Sequence, residues 1–391
     1  MSARFALSGA RIFDGEEWHE DKALLVGPDG VEAIKPVEEL AGPVEIHKLD
    51  GGMLVPGFID LQVNGGGGLL LNSDPSVETI RTICAAHIPF GTTALLPTLI
   101  TDTPEVVEAA IAAGKEAQRR KMPGFLGLHL EGPHLSLAKK GAHDPALIRP
   151  MEDRDLERLI AARRDLTVLT ITVAPETVTP EQIAALAGAG VVVSIGHSNA
   201  EYDTVFAAIA AGARQVTHLF NAMSPLQHRD PGVVGAALDS GEVYAGLIAD
   251  GYHVNPHAMA IALRAKRRPG RIFLVTDAMA TIGTDMREFT LKGRLIRREG
   301  GRLTLEDGTL AGADLDMISA VRFIHRQIGL ELGEALRMAS LYPAEAVGQD
   351  KRLGRLREGT AASFVHLSKD LDVRSVWIDG TKAYASPSAP G

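Results

Sequence analysis

The sequence predicts an α/β protein: a (β/α)₈ barrel of the TIM type, with a small β-sandwich domain formed from both chain ends. From Met53 onward, apolar segments of strand length alternate with helix-forming segments, which is typical of βα units and a parallel sheet. There are eight such apolar segments, the number that closes a barrel. The two chain ends instead contain short strand-like segments separated by Asp-Gly turns, which indicate hairpins.

The β-rich ends are predicted to pair into one small domain. ARIFDG, KALLVGPDG and VEIHKLDGG lie near the start, and ASFVHL and VRSVWI lie near the end. Neither end is long enough to form a catalytic core alone, so pairing of the two is the simplest way to bury their apolar faces. We therefore predict sandwich segments at 1–54 and 354–391, and the barrel at 55–353.

The predicted barrel strands are apolar runs that end in polar residues or turns. In chain order they are LVPGFIDLQVN, TTALLPTLI, FLGLHLEG, LTVLTITVAPE, VVVSIGHSN, ARQVTHLFNAM, VYAGLIADGYHV and RIFLVTDAM. Good helix formers lie between them, such as PEVVEAAIAAGKEAQRR and EQIAALAGAG, and the second of these ends on a capping glycine. An open, doubly wound sheet is the alternative, because the pattern does not show closure.

Composition limits the classes of function. The chain has 391 residues, 45 % of them hydrophobic, a net charge of -9 and a single cysteine, Cys84. The negative charge argues against a nucleic-acid partner, and one cysteine excludes an internal disulfide or a cysteine-rich zinc site. No signal peptide or apolar run of about 18 residues is visible. We therefore expect a cytoplasmic protein with no membrane partner.

Polar residues of ligand or acid-base type follow most of the predicted strands. The set is Gln62 and Asn64 after the first, His129 and Glu131 on the third, His197 on the fifth, His218 on the sixth, His253 after the seventh and Asp277 on the eighth. Because strand ends of a barrel converge on one mouth, we expect these side chains to become neighbours.

Glu131, His197 and His218 form a plausible metal-binding set of one carboxylate and two imidazoles, which leaves positions open for water and substrate. Zn²⁺ suits these ligands, with Fe²⁺, Mn²⁺ or Co²⁺ as alternatives. A buried, hydrogen-bonded histidine would explain any one of them alone. His129 faces the same side as Glu131, so it is either a supporting residue or part of the barrel interior.

Asp277 is the predicted acid-base residue, because hydrolysis needs a group that takes a proton from water and gives one to the leaving amine. A helix N-cap is the structural alternative. Two polar loops are candidate substrate contacts: KKGAHDP with His143, and QHRDPG with Arg229. Arginine suits a phosphate or carboxylate, although either loop could simply be solvated.

Eight motifs in order carry a family resemblance: PGFIDLQVNGG, HLEGPH, KKGAHDP, GHSNA, THLFNAM, DGYHV, VTDAM and LAGADLDM. Together they resemble the N-acetylglucosamine-6-phosphate deacetylase family of the amidohydrolase superfamily. The resemblance implies hydrolysis of N-acetyl-D-glucosamine 6-phosphate to D-glucosamine 6-phosphate and acetate, in amino-sugar catabolism and cell-wall sugar recycling.

The resemblance also implies site residues and partners. Metal ligands fall on Glu131, His197 and His218, and the catalytic aspartate falls on Asp277. Implied substrate contacts are Ala142, His143, Asn221, Ala222, His253, Leu310, Ala311 and Gly312. Arg229 matches an arginine that reaches the sugar phosphate across a subunit interface, which implies a homodimer with shared active sites.

Three departures from the superfamily pattern affect this interpretation. Gln62 and Asn64 stand where two-metal members have HxH, so we expect one divalent metal per subunit, since amides are poor zinc ligands. His134 follows EGP where relatives often have an apolar residue, which places a further imidazole near the mouth. Asp314 follows LAGA, where its charge would repel a phosphosugar unless it is paired or points away.

Three alternatives remain at this point. The chain could act on N-acetylgalactosamine 6-phosphate, the epimer, or on a cyclic amide such as dihydroorotate. It could also bind a sugar phosphate as a sensor without catalysis, although Asp277 beside a full ligand set argues against that. Supporting or mouth positions are predicted for Gln62, Asn64, His129 and His134.

Overall fold

The computed structural model describes residues 4–387, so the outermost residues of the predicted sandwich segments lie outside the described part. Its centre is a sheet of eight parallel barrel strands, each in one of the segments predicted from the sequence. They are β1 (Phe58–Val63), β2 (Thr92–Ile100), β3 (Gly127–Glu131), β4 (Val168–Val173), β5 (Val192–Ile195), β6 (Gln215–Val216), β7 (Tyr244–Ile248) and β8 (Ile272–Val275).

The sheet closes on itself between the first and last strands. Each barrel strand pairs in parallel with the next one along the chain. Just beyond β8, Val63 and Ala278 form a parallel bridge, and the Asp277 amide donates to the Gln62 carbonyl at 3.0 Å. The predicted barrel is therefore confirmed, and the open, doubly wound alternative is not supported.

Helices follow the strands as the sequence pattern predicts. They are α1 (Val77–His87), α2 (Pro104–Arg119), α3 (Asp153–Arg163), α4 (Pro180–Gly188), α5 (Tyr202–Ala210), α6 (Gly232–Asp239), α7 (Pro256–Ala265), α8 (Met317–Phe323), α9 (Leu332–Ala339) and α10 (Leu341–Ala346). Local chemistry sets their starts: α4 begins with a capping box in which Thr179 and Gln182 satisfy each other's backbone amides, which fixes the entry of the chain into the helix. None of the helices described is long and apolar enough to span a membrane.

Both chain ends form two small sheets beside the barrel. One has six strands, in the order Thr381–Ala385, Val373–Ile378, Phe364–Leu367, Met53–Pro56, Arg11–Phe13 and Trp18–His19. The other has four, in the order Gly30–Lys35, Ala23–Gly27, Phe5–Ser8 and Glu45–Lys48. Residues from both ends share one apolar cluster, including Leu54, Phe364 and Trp377. This confirms a β domain built from both ends, whereas its exact boundaries stay a prediction.

A four-stranded antiparallel sheet between β8 and α8 was not predicted from the sequence. Its strands are Glu288–Leu291, Arg294–Glu299, Arg302–Thr304 and Leu310–Ala313. Its apolar side chains, including Leu291 and Ile296, form a cluster with Met279 beyond β8 and with Leu70 from the loop after β1. We call residues 288–313 the mouth sheet, because this cluster places it over the carboxyl ends of the barrel strands.

Candidate active site

A cavity of about 190 Å³ lies at the mouth of the barrel. Most residues predicted to act at the site line it: Asn64, Glu131, Ala142, His143, His197, His218, Asn221, Ala222, His253, Asp277, Leu310, Ala311 and Gly312. The sequence analysis missed further lining residues, namely Leu70, Asn72, Ile100, Gly141, Ile248, Met279 and Leu291. These are mostly apolar, so nothing in the sequence distinguishes them from ordinary core residues.

An uncommon backbone conformation recurs at the functional strand ends. The φ angle is +47° at His197, +28° at His218 and +52° at Asp277, in the left-handed region that residues other than glycine rarely occupy. Each of the three lies two residues beyond the end of a parallel strand, and each side chain lines the cavity. Such strain persists only where the surrounding structure enforces it, and it clusters at functional sites.

Three donor atoms from β3, β5 and β6 form a small triangle. Nε2 of His218 lies 3.1 Å from Oε1 of Glu131 and 3.1 Å from Nε2 of His197. The remaining side, from His197 Nε2 to Glu131 Oε1, is 3.3 Å. Ligands about 2.0–2.1 Å from a tetrahedral Zn²⁺ are roughly 3.3 Å apart. The triangle is therefore compatible with a divalent cation.

The hydrogen bonds of His197 favour that interpretation. Its Nδ1 lies 2.8 Å from the carbonyl oxygen of Lys139, and a carbonyl can only accept, so Nδ1 carries the hydrogen. The lone pair of a neutral imidazole is then on Nε2, the atom in the triangle. A carbonyl that fixes the tautomer in this way is the usual support for a metal-binding histidine.

His143 is the other histidine close enough to be a ligand, because it, Glu131 and His197 each offer a donor atom within 4.8 Å of the others. However, the Thr101 backbone amide donates to Nδ1 of His143 at 3.3 Å, and the Thr101 hydroxyl lies 2.8 Å from the same nitrogen. Burial, and the neighbouring His197, hold the pKa of His143 well below its usual range. A neutral His143 whose Nδ1 accepts must carry its hydrogen on Nε2, which makes it a hydrogen-bond donor rather than a ligand.

Glu131 and His218 shift each other's pKa values toward the charged forms. Burial alone would raise the pKa of Glu131, but the facing imidazoles of His197 and His218 hold it well below its usual range. Burial likewise opposes protonation of His218, yet Glu131 raises the pKa of that imidazole above its ordinary value. The Glu131 carboxylate is therefore ionised and attracts positive charge to the centre of the triangle.

Asp277 lies beside the triangle and is oriented by two amides. Its Oδ1 accepts hydrogen bonds from Asn64 at 2.7 Å and from Gln62 at 3.2 Å. Gln62 also donates to Glu131 at 3.3 Å. The residues that replace HxH thus donate their N–H groups to the two carboxylates. Burial raises the pKa of Asp277, and the negative charge of Glu131 raises it further.

Backbone segments complete the cavity wall. Ala313 and Asp277 are joined by a 2.9 Å bond from the Ala313 amide to the Asp277 carbonyl, which holds Leu310–Gly312 against the end of β8. Gly312 has a φ of +68°, and a Cβ there would lie 2.5 Å from Met279, so only glycine fits.

On the far wall, Nδ1 of His253 donates to Asp250 at 2.5 Å.

Four residues singled out in the sequence lie away from this cavity. His129 contacts the hydroxyls of Thr98 and Thr172 inside the barrel. His134 is buried at the base of the loop that follows β3 and lines a second cavity rather than this one. Arg229 is exposed and does not line the cavity. The Asp314 carboxylate accepts from Arg298 at 2.6 Å and from Thr281 at 2.8 Å. That carboxylate is therefore paired and does not face a substrate.

Comparison with known proteins agrees with this geometry. The profile of the amidohydrolase family matches residues 53–383. The chain belongs to the amidohydrolase family. Members of the family are metal-dependent, and the Glu131, His197 and His218 cluster of this amidohydrolase is compatible with one divalent ion.

Two relatives illustrate the similarity. The amidohydrolase is 49 % identical to an N-acetylgalactosamine-6-phosphate deacetylase of Shewanella sp. (strain ANA-3), over 88 % of this chain and 86 % of the relative. It is 36 % identical to an N-acetylglucosamine-6-phosphate deacetylase of Haemophilus influenzae, over 96 % of this chain and 98 % of the relative. The resemblance identified from the motifs is thereby confirmed.

Solved structures support the same grouping. The N-acetylglucosamine-6-phosphate deacetylase of Pasteurella multocida superposes with a TM-score of 0.93 at 37 % identity, covering 98 % of this chain and 100 % of that one. A second, from Mycobacterium smegmatis, is an aspartate-to-alanine mutant in complex with N-acetyl-D-glucosamine-6-phosphate. It has a TM-score of 0.89 at 31 % identity and covers 98 % of this chain and 100 % of that one.

Proposed function

We propose that this amidohydrolase removes acetate from N-acetyl-D-glucosamine 6-phosphate and yields D-glucosamine 6-phosphate. The observation that carries the proposal is the triangle of Glu131, His197 and His218 with Asp277 alongside. It occurs in a chain whose relatives at 36 % and 49 % identity are deacetylases of 6-phosphorylated N-acetylhexosamines. A cyclic-amide substrate and a non-catalytic sensor are not favoured by these relatives.

The epimer N-acetylgalactosamine 6-phosphate is the second candidate substrate, because the relative with 49 % identity is named for it. Acetate release from the two 6-phosphosugars, measured side by side, tests both candidates. We expect release from both, with a higher kcat/KM for the gluco epimer. A higher value for the galacto epimer would reverse the assignment, and no release from either would refute deacetylation. Dihydroorotate serves as the cyclic-amide control.

We propose that Glu131, His197 and His218 hold one divalent ion per subunit, with Zn²⁺ the best match to one carboxylate and two imidazoles. Fe²⁺, Mn²⁺ and Co²⁺ are alternatives. A bound ion would polarise the amide carbonyl and lower the pKa of water. Gln62 and Asn64 supply N–H groups to the carboxylates, which leaves this chain without the HxH pair for a second ion.

Asp277 is the proposed acid-base residue. Its carboxylate takes a proton from the attacking water as the water oxygen bonds to the acetyl carbon. It then gives that proton to the sugar nitrogen as the carbon–nitrogen bond breaks. Asn64 and Gln62 hold Oδ1, which leaves Oδ2 for this transfer. An aspartate mutant of the Mycobacterium smegmatis protein that holds its substrate is consistent with an aspartate that acts in turnover rather than in binding.

Hydrogen-bond donors around the cavity would orient the substrate. The Nε2–H of His143 is free because Thr101 occupies Nδ1, so it can donate to the acetyl oxygen as negative charge develops there. His253 is held by Asp250 and faces the same cavity, where it can contact sugar hydroxyls. Asn221, Ala222 and Leu310–Gly312 form the remaining proposed substrate contacts.

The rate is predicted to depend on pH through Asp277. Because burial and Glu131 raise the pKa of Asp277 to about 6, and a bound cation would lower it again, the ionised base is present at neutral pH and lost on acidification. We expect kcat/KM to be level near neutral pH and to fall about tenfold per pH unit below the pKa, which lies at or below about 6. A rate that rises on acidification through this range would contradict Asp277 as the base.

The phosphate group requires a cation that this cavity lacks, since no lysine or arginine of the described chain lines it. We propose that Arg229 of a second copy supplies it in a homodimer, which the exposure of Arg229 permits. A charge-assisted hydrogen bond contributes about 1.5–3 kcal/mol. Arg229→Ala should therefore lower kcat/KM for the phosphosugar by about 10- to 100-fold.

Mixed dimers test the shared site directly. Arg229→Ala and Asp277→Asn subunits are each defective, but a mixed dimer contains one site with both residues intact. We expect mixing with subunit exchange to restore activity. A fully active monomer, or no recovery on mixing, would contradict the shared site. Arg154→Ala, at an exposed arginine on α3, is the matched control.

The cytoplasmic location stays a prediction from the sequence.

A further inference from the structure

A polar cluster lies at the base of the loop that follows β3. We call residues 132–150 the active-site loop, because Gly141, Ala142 and His143 line the cavity. On its far side a second cavity, of about 120 Å³, is lined by His134, Arg149 and Asp155. None of these three residues takes part in the proposed chemistry. His134 and Asp155 are each at most 3 % exposed.

His134 and Arg149 join the two ends of the active-site loop. Nδ1 of His134 lies 3.1 Å from the carbonyl oxygen of Arg149, so Nδ1 is the donor. The Arg149 amide donates to the Pro133 carbonyl at 3.2 Å. Burial lowers the pKa of His134, so the imidazole is neutral at neutral pH and the bond does not depend on its charge. The loop is therefore closed at its base by one main-chain and one side-chain bond.

Arg149 is itself fixed to α3. Its guanidinium donates to both oxygens of Asp155, at 2.5 Å from Nη1 and 2.7 Å from Nη2. Burial alone would raise the pKa of Asp155, but the bonds from Arg149 and from the Glu152 amide lower it to about 2. Two parallel bonds to an ionised carboxylate hold a guanidinium in one orientation. The closed base of the loop is thus anchored to a helix of the barrel.

The opposite side of the same loop contacts the proposed metal site. The Lys139 carbonyl accepts from Nδ1 of His197 at 2.8 Å, and the Ser136 amide donates to the His197 carbonyl at 2.9 Å. The ring centroids of His143 and His197 are 4.3 Å apart. A shift of the loop would therefore move the acceptor that sets the His197 tautomer.

We propose that His134 is a positioning residue: by closing the active-site loop onto Arg149, it holds the Lys139 carbonyl on His197 and keeps His143 in place. The inference rests on the proposed metal site. Burying an imidazole has a desolvation cost that an apolar side chain would avoid. Nδ1 of this imidazole bonds to the Arg149 carbonyl at the base of the loop, and Nε2 lies 3.9 Å from the Asp155 carboxylate that holds Arg149.

Three variants separate positioning from general stability. His134→Leu removes the donor and keeps the size of the side chain, whereas His134→Asn offers an amide N–H near the position of Nδ1. The control is His366→Leu. His366 is also buried, and it likewise makes one bond to a carbonyl, 2.8 Å from Nε2 to Gly51, but it lies in the β-sandwich domain.

The main readout is release of Zn²⁺ from loaded protein to a chelator, together with hydrogen exchange of residues 135–148. We expect His134→Leu to release Zn²⁺ about tenfold faster, as when a histidine ligand loses its supporting partner, and to exchange faster in the loop. His134→Asn should restore most of the wild-type behaviour. His366→Leu should lower Tm without changing either readout. If His134→Leu does not fold, Arg149→Lys, which cannot form the paired bonds to Asp155, takes its place.

The inference is overturned if His134→Leu releases Zn²⁺ at the wild-type rate. It is also overturned if His366→Leu accelerates release equally, since the effect would then be one of general stability. These measurements do not require turnover. A wild-type protein that binds Zn²⁺ but releases no acetate would refute the proposed function, while the comparison of release rates would still decide the role of His134.

Discussion

Replacing Asp277 with asparagine lowers kcat for acetate release by about a thousandfold, within the range of 10²–10⁴ that a positioned acid-base group contributes. Asparagine keeps the size of the side chain and the ability to accept from Asn64 and Gln62, but it cannot take the proton of the attacking water. We expect KM to change little, because these bonds hold the wall of the cavity rather than the sugar. Steady-state acetate release is the measurement.

The control for this prediction is metal content. Asp277 is not part of the triangle of Glu131, His197 and His218, so Asp277→Asn protein should carry as much metal as the wild type. Near-normal turnover of a metal-loaded Asp277→Asn protein would show that another group moves the proton.

Replacing His218 with asparagine should cause the loss of the metal and, with it, most of the activity. Nε2 of His218 is 3.1 Å from both other corners of the triangle, and an amide is a poor ligand beside imidazole. We expect the metal content to fall well below one per chain by elemental analysis, and kcat/KM to fall at least 100-fold.

His129→Gln is the matched control, because this histidine is also buried in the barrel but bonds to Thr98 and Thr172 instead. We expect His129→Gln protein to retain its metal. If His218→Asn protein kept a full complement of metal while His143→Asn protein lost it, His143 would be the third ligand, and the assignment of His143 as a neutral donor would be wrong.

The barrel could be predicted because its determinants are local. Strands such as Val168–Val173 are apolar runs with β-branched residues, and some are followed by a helix with its own cap, as α4 is. Parallel pairing then brings Glu131, His197, His218 and Asp277 to one mouth, whatever their separation in sequence. The site residues could therefore be proposed before the geometry was known.

The mouth sheet could not be predicted, because its strands are only partly buried and alternate irregularly in hydrophobicity. Its attachment depends on long-range contacts: Arg298 pairs with Asp314, Arg294 donates to the Ala142 carbonyl, and Leu291 packs with Met279. From the sequence alone, the negative charge of Asp314 is expected to repel a phosphosugar unless it is paired or points away. Only the fold shows that Arg298 neutralises it.

The sequence also could not show which ring nitrogen of each histidine carries the hydrogen. It places His143 in a polar loop and His197 just after an apolar strand, and neither position reveals the tautomer. His143 receives the Thr101 amide on Nδ1, whereas His197 gives its Nδ1 hydrogen to the Lys139 carbonyl. These contacts are the basis for proposing His143 as a donor and His197 as a ligand. His134 looked like a mouth residue, but it lies at the base of the active-site loop and lines the second cavity instead.

Titration of metal-free protein with Zn²⁺ tests the central claim most directly. We predict that a chelated, metal-free sample releases no acetate from N-acetyl-D-glucosamine 6-phosphate, and that activity returns linearly up to one equivalent of Zn²⁺ per chain. Full turnover by the metal-free protein, or a requirement for two equivalents, would contradict a single catalytic ion held by Glu131, His197 and His218.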